Sequence, residues 1–462
     1  MTAIPGSLSE AARLIAAKAL SPVELTRAAL ARAEALNPRL HAFLRITGDV
    51  ALRQAQEAEA RQMTGTLRGA LDGIPVAHKD IYETAGIPTT ANSRILIDHV
   101  PARDAAAVAS WATAGAVMIG KLATHEFASG GPSFDLPWPP PRNPWDTTRS
   151  TAGSSSGTGA AVAAGIILGG TGSDTGGSIR LPAAWCGIAG VKPTYGLCSR
   201  RGVLPLSHSM DTVGPMAWTV EDCAILLQAM AGHDAEDPSS ADRPTPDLLS
   251  GLRHGVRGLR IGVVRHFHED ELPASPAVRA GIERLLAVLR GEGAEIREVT
   301  LPPLREFHAA GWVALMAEAL AIHQPWLQTR FRDYGRILRE RLSIAALITG
   351  ADYVQAQRRR RELCDAVAAA MRDCDLLITA GQPAEAPPIE SLGTWATLQG
   401  PNLTVPFNLT GQPVVSVCTG YGEGGLPVGA QIVARPFEDA LALRAGHAFE
   451  CATAGERRRP PI

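Results

Sequence analysis

Two short stretches of this chain set serine hydroxyls among glycines: Gly153-Ser154-Ser155-Ser156-Gly157, and Gly176-Gly177-Ser178. Glycine lets a ligand approach the main chain and reaches backbone angles closed to other residues. A serine in such a turn therefore sits beside free backbone N–H groups, the arrangement an acyl-transfer site needs. A hydroxyl is a weak nucleophile near neutral pH and needs a base within hydrogen-bond reach. Of 44 basic residues only Lys18, Lys79, Lys121 and Lys192 are lysine. Arginine carries most of the positive charge, and one reason to keep a lysine among glycine, proline and apolar neighbours is that the position must be able to lose its proton. Lys79 fits best, because it follows the apolar run Ile74 to Ala77, and burial disfavours the ammonium form. A lysine simply paired with Asp80 is an equal reading of this segment.

Several other patterns point elsewhere and fail. Gly115 to Lys121 has P-loop spacing, but Leu122 stands where a metal-binding Ser or Thr is required and the intervening residues read as a strand. Ser155 centres a G-x-S-x-G sequence, yet His78 and His125 do not cluster as bases and a second serine turn follows downstream. Cys186 with Glu126 and Lys79 suggests a Cys-Glu-Lys site, but its run AAWCGIAG reads as packing.

The elements that position these residues are well signposted. Ser7 with Glu10, and Ser21-Pro22 with Glu24, predict two capped helices, the second ending near Leu36 before Asn37-Pro38. Asp104 is expected to cap a helix that Gly115 closes, with a strand at Ala116–Ile119. Strand-like runs recur at Arg260–Val264, Ala294–Val299 and Asp375–Thr379, with a helix from Ser275-Pro276 to Gly291 between the first two. Strands alternating with helices predict an α/β protein whose sheet is covered on both faces. Residues 234–248 read as a surface loop, and 300–372 as a helical subregion within one large domain.

Composition bounds the partners. A 462-residue chain with 45% hydrophobic residues can bury a substantial core, and a net charge of -2 gives no electrostatic footprint for nucleic acid. Arg358–Arg361 reads as a solvated helix face. Seven scattered cysteines suggest a reducing compartment, and the sequence shows neither a signal-like start nor an apolar run of membrane length. A soluble, cytoplasmic protein is expected.

The chain resembles the amidase signature family of serine hydrolases. The resemblance is carried by Gly73–Asp80 (GIPVAHKD), Arg142–Asp146 (RNPWD), the serine-glycine run at 153–159, GSDTGGSIRLPA at 172–183, GVKPTYG at 190–196 and GLPVGAQIV at 425–433. It implies an α/β fold with a large mixed central sheet covered by helices on both faces, one domain over 1–462, and a catalytic core at about 73–200. It also implies a triad: Lys79 as base, Ser154 held by a cis peptide bond, and Ser178 as nucleophile. The backbone N–H groups of Thr175, Gly176 and Gly177 then stabilise the oxyanion, and neither metal nor organic cofactor is required. Ala152 and Ser156 depart from the usual GGSSGGS pattern and alter the local pocket without removing a catalytic hydroxyl. Asp174 and Arg180 are expected to pair and shape the nucleophile loop, while Lys121 and Lys192 serve the fold.

Phe127, Ala128, Ser129, Phe134 and Trp138 are expected to line the substrate pocket, with Trp395 and Phe407 from a second segment, although each suits a core position equally. The expected function is a stand-alone hydrolase of C–N bonds in small amides, with carbamates (urethanes) and aryl esters as accessible relatives. Its partner would be a small-molecule amide or carbamate substrate, with no nucleic acid and no membrane, and a homodimer is left open. The alternative is the glutamine-hydrolysing subunit of a tRNA-dependent amidotransferase complex.

Overall fold

The computed structural model describes residues 4–396 and 398–462. Its strands are β1 (Phe43–Ile46), β2 (Pro75–Lys79), β3 (Val117–Leu122), β4 (Arg142–Asn143), β5 (Asp146–Ser150), β6 (Gly169–Asp174) and β7 (Ala189–Lys192). There follow β8 (Thr212–Ala217), β9 (Arg260–Val263), β10 (Glu295–Glu298), β11 (Leu376–Ala380), β12 (Val414–Tyr421) and β13 (Pro427–Ala434). Eleven of them form one sheet in the order β1-β3-β2-β6-β8-β7-β12-β13-β11-β9-β10, and β4 and β5 pair as a separate ribbon. β2 runs parallel to both β3 and β6, whereas β6, β8, β7, β12 and β13 are successively antiparallel. The sheet is therefore mixed, and helices pack against it. Among the described residues no helix is long and apolar enough to cross a membrane.

Local chemistry accounts for most elements. Ser7 accepts the N–H of Glu10 and opens the helix Leu8–Ala16, and Ser275 accepts that of Val278 and opens Pro276–Gly291. The latter buries Val278, Ile282, Leu285, Leu286 and Leu289, a helical stripe in which each side chain contributes about 1.5–3 kcal/mol on burial. Two boundaries differ from expectation. The helix from Pro22 continues through Pro38 to Leu40, because the Asn37 side chain latches onto the backbone N–H and carbonyl of Phe43 and ties the last turn to β1. Asp104 caps no helix: the helix Ala106–Thr113 has Ala105 at its N-cap, and the Asp104 carboxylate accepts the N–H of Ala85 at 2.7 Å instead.

The helix Ser156–Ala163 is buried along its whole length, which is why its residues are small. A side chain at Gly157 would collide with the Ala42 carbonyl and the Ala123 backbone, so only glycine permits this approach. The helices Leu304–Arg330, Arg336–Ala345 and Gly350–Ala370 form the helical subregion. Arg360 there is more than a solvated charge, since it donates to the carbonyls of Leu409 and Ser209. At the other end of the chain, Arg457 and Arg459 stack on Trp218 at 4.1 and 3.5 Å, and Arg459 donates to the Gly6 carbonyl at 2.6 Å.

Candidate active site

Lys79 ends β2, an interior strand of the sheet between β3 and β6, with no exposed surface, and its backbone N–H donates to Thr171 Oγ1 on β6 at 2.9 Å. Its Nζ lies 2.7 Å from Ser154 Oγ, 3.1 Å from Ser155 Oγ and 2.9 Å from Ser173 Oγ. Burial lowers the Lys79 pKa to about 7, with Asp174 and Asp211 pulling weakly the other way. A neutral amine has two N–H donors and one lone pair, so one of the three hydroxyls must donate to it. Ser155 is committed elsewhere, since its hydroxyl faces the Ser173 carbonyl at 3.3 Å. Ser154, with the shortest contact, is the natural proton donor to Lys79.

The peptide bond Gly153–Ser154 is cis. Ala152, which stands where the family pattern has glycine, adopts a left-handed φ of 59°. A side chain at Gly153 would collide with the His125 ring, and the backbone N–H of His125 donates to the Ser154 carbonyl at 3.1 Å. Burial, with Lys79 and Arg341 nearby, drives the His125 pKa down to about 3, so this imidazole is a neutral packing surface. Ser178 is half-buried ahead of the helix Arg180–Cys186, and its carbonyl accepts the Ser155 N–H at 3.3 Å, which joins the two serine turns.

The Ser178 turn is held by a buried charge network. Asp174 accepts the N–H groups of Gly177, Ile179 and Arg180 and pairs with the Arg180 guanidinium at 2.9 Å. Burial acts to raise the Asp174 pKa, but Arg180 and Asn408 outweigh it and hold the carboxyl well below the usual range. Arg180 reaches further, to Gln431 Oε1 at 2.6 Å, the Thr404 carbonyl at 2.9 Å and Asn408 Oδ1 at 2.5 Å. One expected oxyanion donor is thereby occupied, because the Gly177 N–H is already given to Asp174 at 2.8 Å. Among the described residues the N–H groups of Thr175 and Gly176 meet no protein acceptor.

The expected pocket residues are not gathered in one place. A cavity of about 200 Å³ is bordered by Ala128, Ser173, Thr175, Leu206 and Asp211. Phe127 has a left-handed φ of 46° and turns its buried ring into a cluster with His323, Trp326 and Tyr334. Ser129 is buried, Trp138 is partly exposed, and Phe134 is 56% exposed with Arg142 over its ring. Phe407 belongs to the core and Trp395 is partly exposed. Lys121 is held by Asp80 at 3.3 Å and by the Tyr82 carbonyl at 2.6 Å, which removes Asp80 as the expected partner of Lys79. Ser173 was not legible as a lysine partner. Its only signal is that it lies five residues before Ser178 on a small-residue strand.

Comparison with known proteins places this geometry among relatives. The family described as Amidase matches residues 24–443. The chain is 39% identical to the A-type subunit of the glutamyl-tRNA(Gln) amidotransferase of Chloroflexus aggregans, over 99% of this chain and 98% of that one. A solved vestigial protein complex said to reveal the evolutionary origins of an s-triazine catabolic enzyme superposes with a TM-score of 0.91 at 34% identity, covering 99% of this chain and 100% of the other. A peptide amidase bound to the competitive inhibitor chymostatin superposes with a TM-score of 0.88 at 31% identity, covering 99% of both chains.

These relatives correct two expectations. The full-length curated relatives are named as amidotransferase subunits, which overturns the stand-alone hydrolase of small amides as the preferred reading. They equally overturn a partner list of a small-molecule substrate and at most a second copy of the chain, because the relatives are named as subunits of a larger enzyme. The net charge of -2 could not have decided this, because it bears on direct contact between this chain and a polyanion and is silent on neighbouring subunits. What fold, site and relatives share is amide C–N hydrolysis, and the chain belongs to the amidase signature family.

Proposed function

We propose that this chain is the glutamine-hydrolysing subunit of a tRNA-dependent amidotransferase, in which Lys79, Ser154 and Ser178 release ammonia from a carboxamide. The observation that carries the chemistry is the buried Lys79 amine, 2.7 Å from Ser154 Oγ and poised to lose its proton near pH 7. Full-length similarity to the A-type subunits of such amidotransferases supports the assignment to that assembly.

Neutral Lys79 takes the proton of Ser154, and Ser154 takes that of Ser178 as Ser178 Oγ attacks the carboxamide carbon. The C–O bond forms while the carbonyl π pair moves onto oxygen, where the Thr175 and Gly176 N–H groups receive it. One such donor is typically worth about 3–4 kcal/mol of barrier. Collapse breaks the C–N bond, and the relay returns the proton through Ser154 to the leaving ammonia. Water, deprotonated by the same relay, then cleaves the acyl ester. Asp174 and Arg180 hold the turn throughout. A carbamate or aryl ester offers the same carbonyl, and its turnover would be a side activity of Ser178.

The test is glutamine hydrolysis by the purified chain, alone and with its co-expressed partner subunits and glutamyl-tRNA(Gln). Low activity alone, raised on assembly and abolished by Ser178→Ala, is the expected result. Full turnover of aryl amides by the free chain, with no glutamine hydrolysis in any assembly, would overturn the assignment.

A further inference from the structure

The loop entering β8 borders the cavity beside Ser173 and Thr175, and it is gripped from both sides. On the inner side Asp211 Oδ1 accepts the Thr175 hydroxyl at 2.6 Å, and Oδ2 accepts the N–H groups of Leu206 and Ser207 at 2.8 and 3.0 Å. On the outer side Glu318, on the helix Leu304–Arg330, accepts the Ser207 hydroxyl at 2.6 Å and the Ser209 N–H at 3.0 Å. Tyr353, on the helix Gly350–Ala370, donates to the same carboxylate at 2.9 Å, and Arg360 of that helix donates to the Ser209 carbonyl at 2.8 Å. Both carboxylates are buried, Asp211 to 9% and Glu318 to 9% exposure. Neither is bonded to Lys79 or to the serines around it, so the proton relay does not account for them.

A buried carboxylate is costly unless donors surround it. Asp211 within this loop and Glu318 on the neighbouring helix grip the same short segment, the first tied to Thr175 and the second to Tyr353 of the other helix, and together they form a continuous line of hydrogen bonds from the helical subregion to Thr175. We propose that Asp211 and Glu318 are positioning residues for amide hydrolysis, which set the Thr175 N–H against the oxyanion by bracing loop 206–211 between the Ser178 turn and the two helices. The proposal rests on Ser178 being the nucleophile. Its effect belongs to the transition state, because a donor aimed at the oxyanion is strongest when charge has developed there.

The test uses the full chain and the rate of fluorophosphonate labelling, which needs no other protein and places a phosphoryl oxygen at the oxyanion position. Thr175→Val and Asp211→Asn are expected to slow the maximal labelling rate by about 10- to 100-fold with little change in half-saturating probe concentration. The double variant should be no slower than the worse single, because both break one link. Thr175→Ser, which keeps the hydroxyl, should stay within about threefold of the parent, and Glu318→Gln and Ser207→Ala should each lose about 3- to 10-fold. Should Asp211→Asn be too unstable to purify, Thr175→Val against Thr175→Ser and the two outer variants still decide the matter. Parent-like labelling in Thr175→Val and Glu318→Gln, while Ser178→Ala is unlabelled, would overturn the positioning role alone. Labelling that persists in Ser178→Ala would instead remove the nucleophile and the proposal with it.

Discussion

The Lys79 amine is held by three hydroxyls and no carboxylate, and this decides how activity must depend on pH. Burial lowers its pKa to about 7. In the proposed mechanism the base is the deprotonated form, so kcat/KM should rise through about pH 7 and level off above it, and a profile flat from pH 5 to 9 would contradict the role. Lys79→Arg should cost about 10²–10⁴ in kcat, since a guanidinium stays protonated. Ser173→Ala removes one amine contact without touching the relay, and a loss of about fivefold is expected by steady-state kinetics. The meeting of Lys79 with Ser154 was legible, because both residue types are restrictive and lysine is scarce. Ser173 was not, because which face of β6 meets Lys79 depends on the pairing of β6 with β2, a long-range fact. The position of the Phe127 ring was not legible for a similar reason: a left-handed φ turns it into the cluster with His323, and nothing in the local sequence requires that angle.

At the scale of elements, the Ser178 turn depends on Asp174 and Arg180, both without exposed surface. Asp174→Asn leaves a buried guanidinium uncompensated, and a loss of about 3–5 kcal/mol in urea unfolding is expected. The exposed pair of Arg103 and Glu236 is the control, since Arg103→Ala should change stability by less than about 1 kcal/mol. Gly157→Ala forces the helix Ser156–Ala163 away from β3, and it should lower the melting temperature and the labelling of Ser178 together. The helix starts at Ser7, Ser21 and Ser275 were readable because each serine caps its helix. Pro38 and Asp104 misled because tertiary bonds, Asn37 to β1 and Asp104 to Ala85, overrode the local signals.

Over the whole molecule, the alternation of strands and helices announced a helix-covered sheet and the family resemblance a mixed one, but neither gave its order, since β7 joins β12 across more than two hundred residues. The same distance runs through the nucleophile turn. Arg180 reaches Thr404, Asn408 and Gln431, so the turn bearing Ser178 is held by segments more than two hundred residues further along the chain. A nascent chain that has already emerged past Ser178 holds the lysine and every serine of the relay, yet lacks the partners that fix the turn. Under the proposed mechanism, competence waits for the ribosome to deliver the last strands, and a prematurely terminated product is expected to be silent.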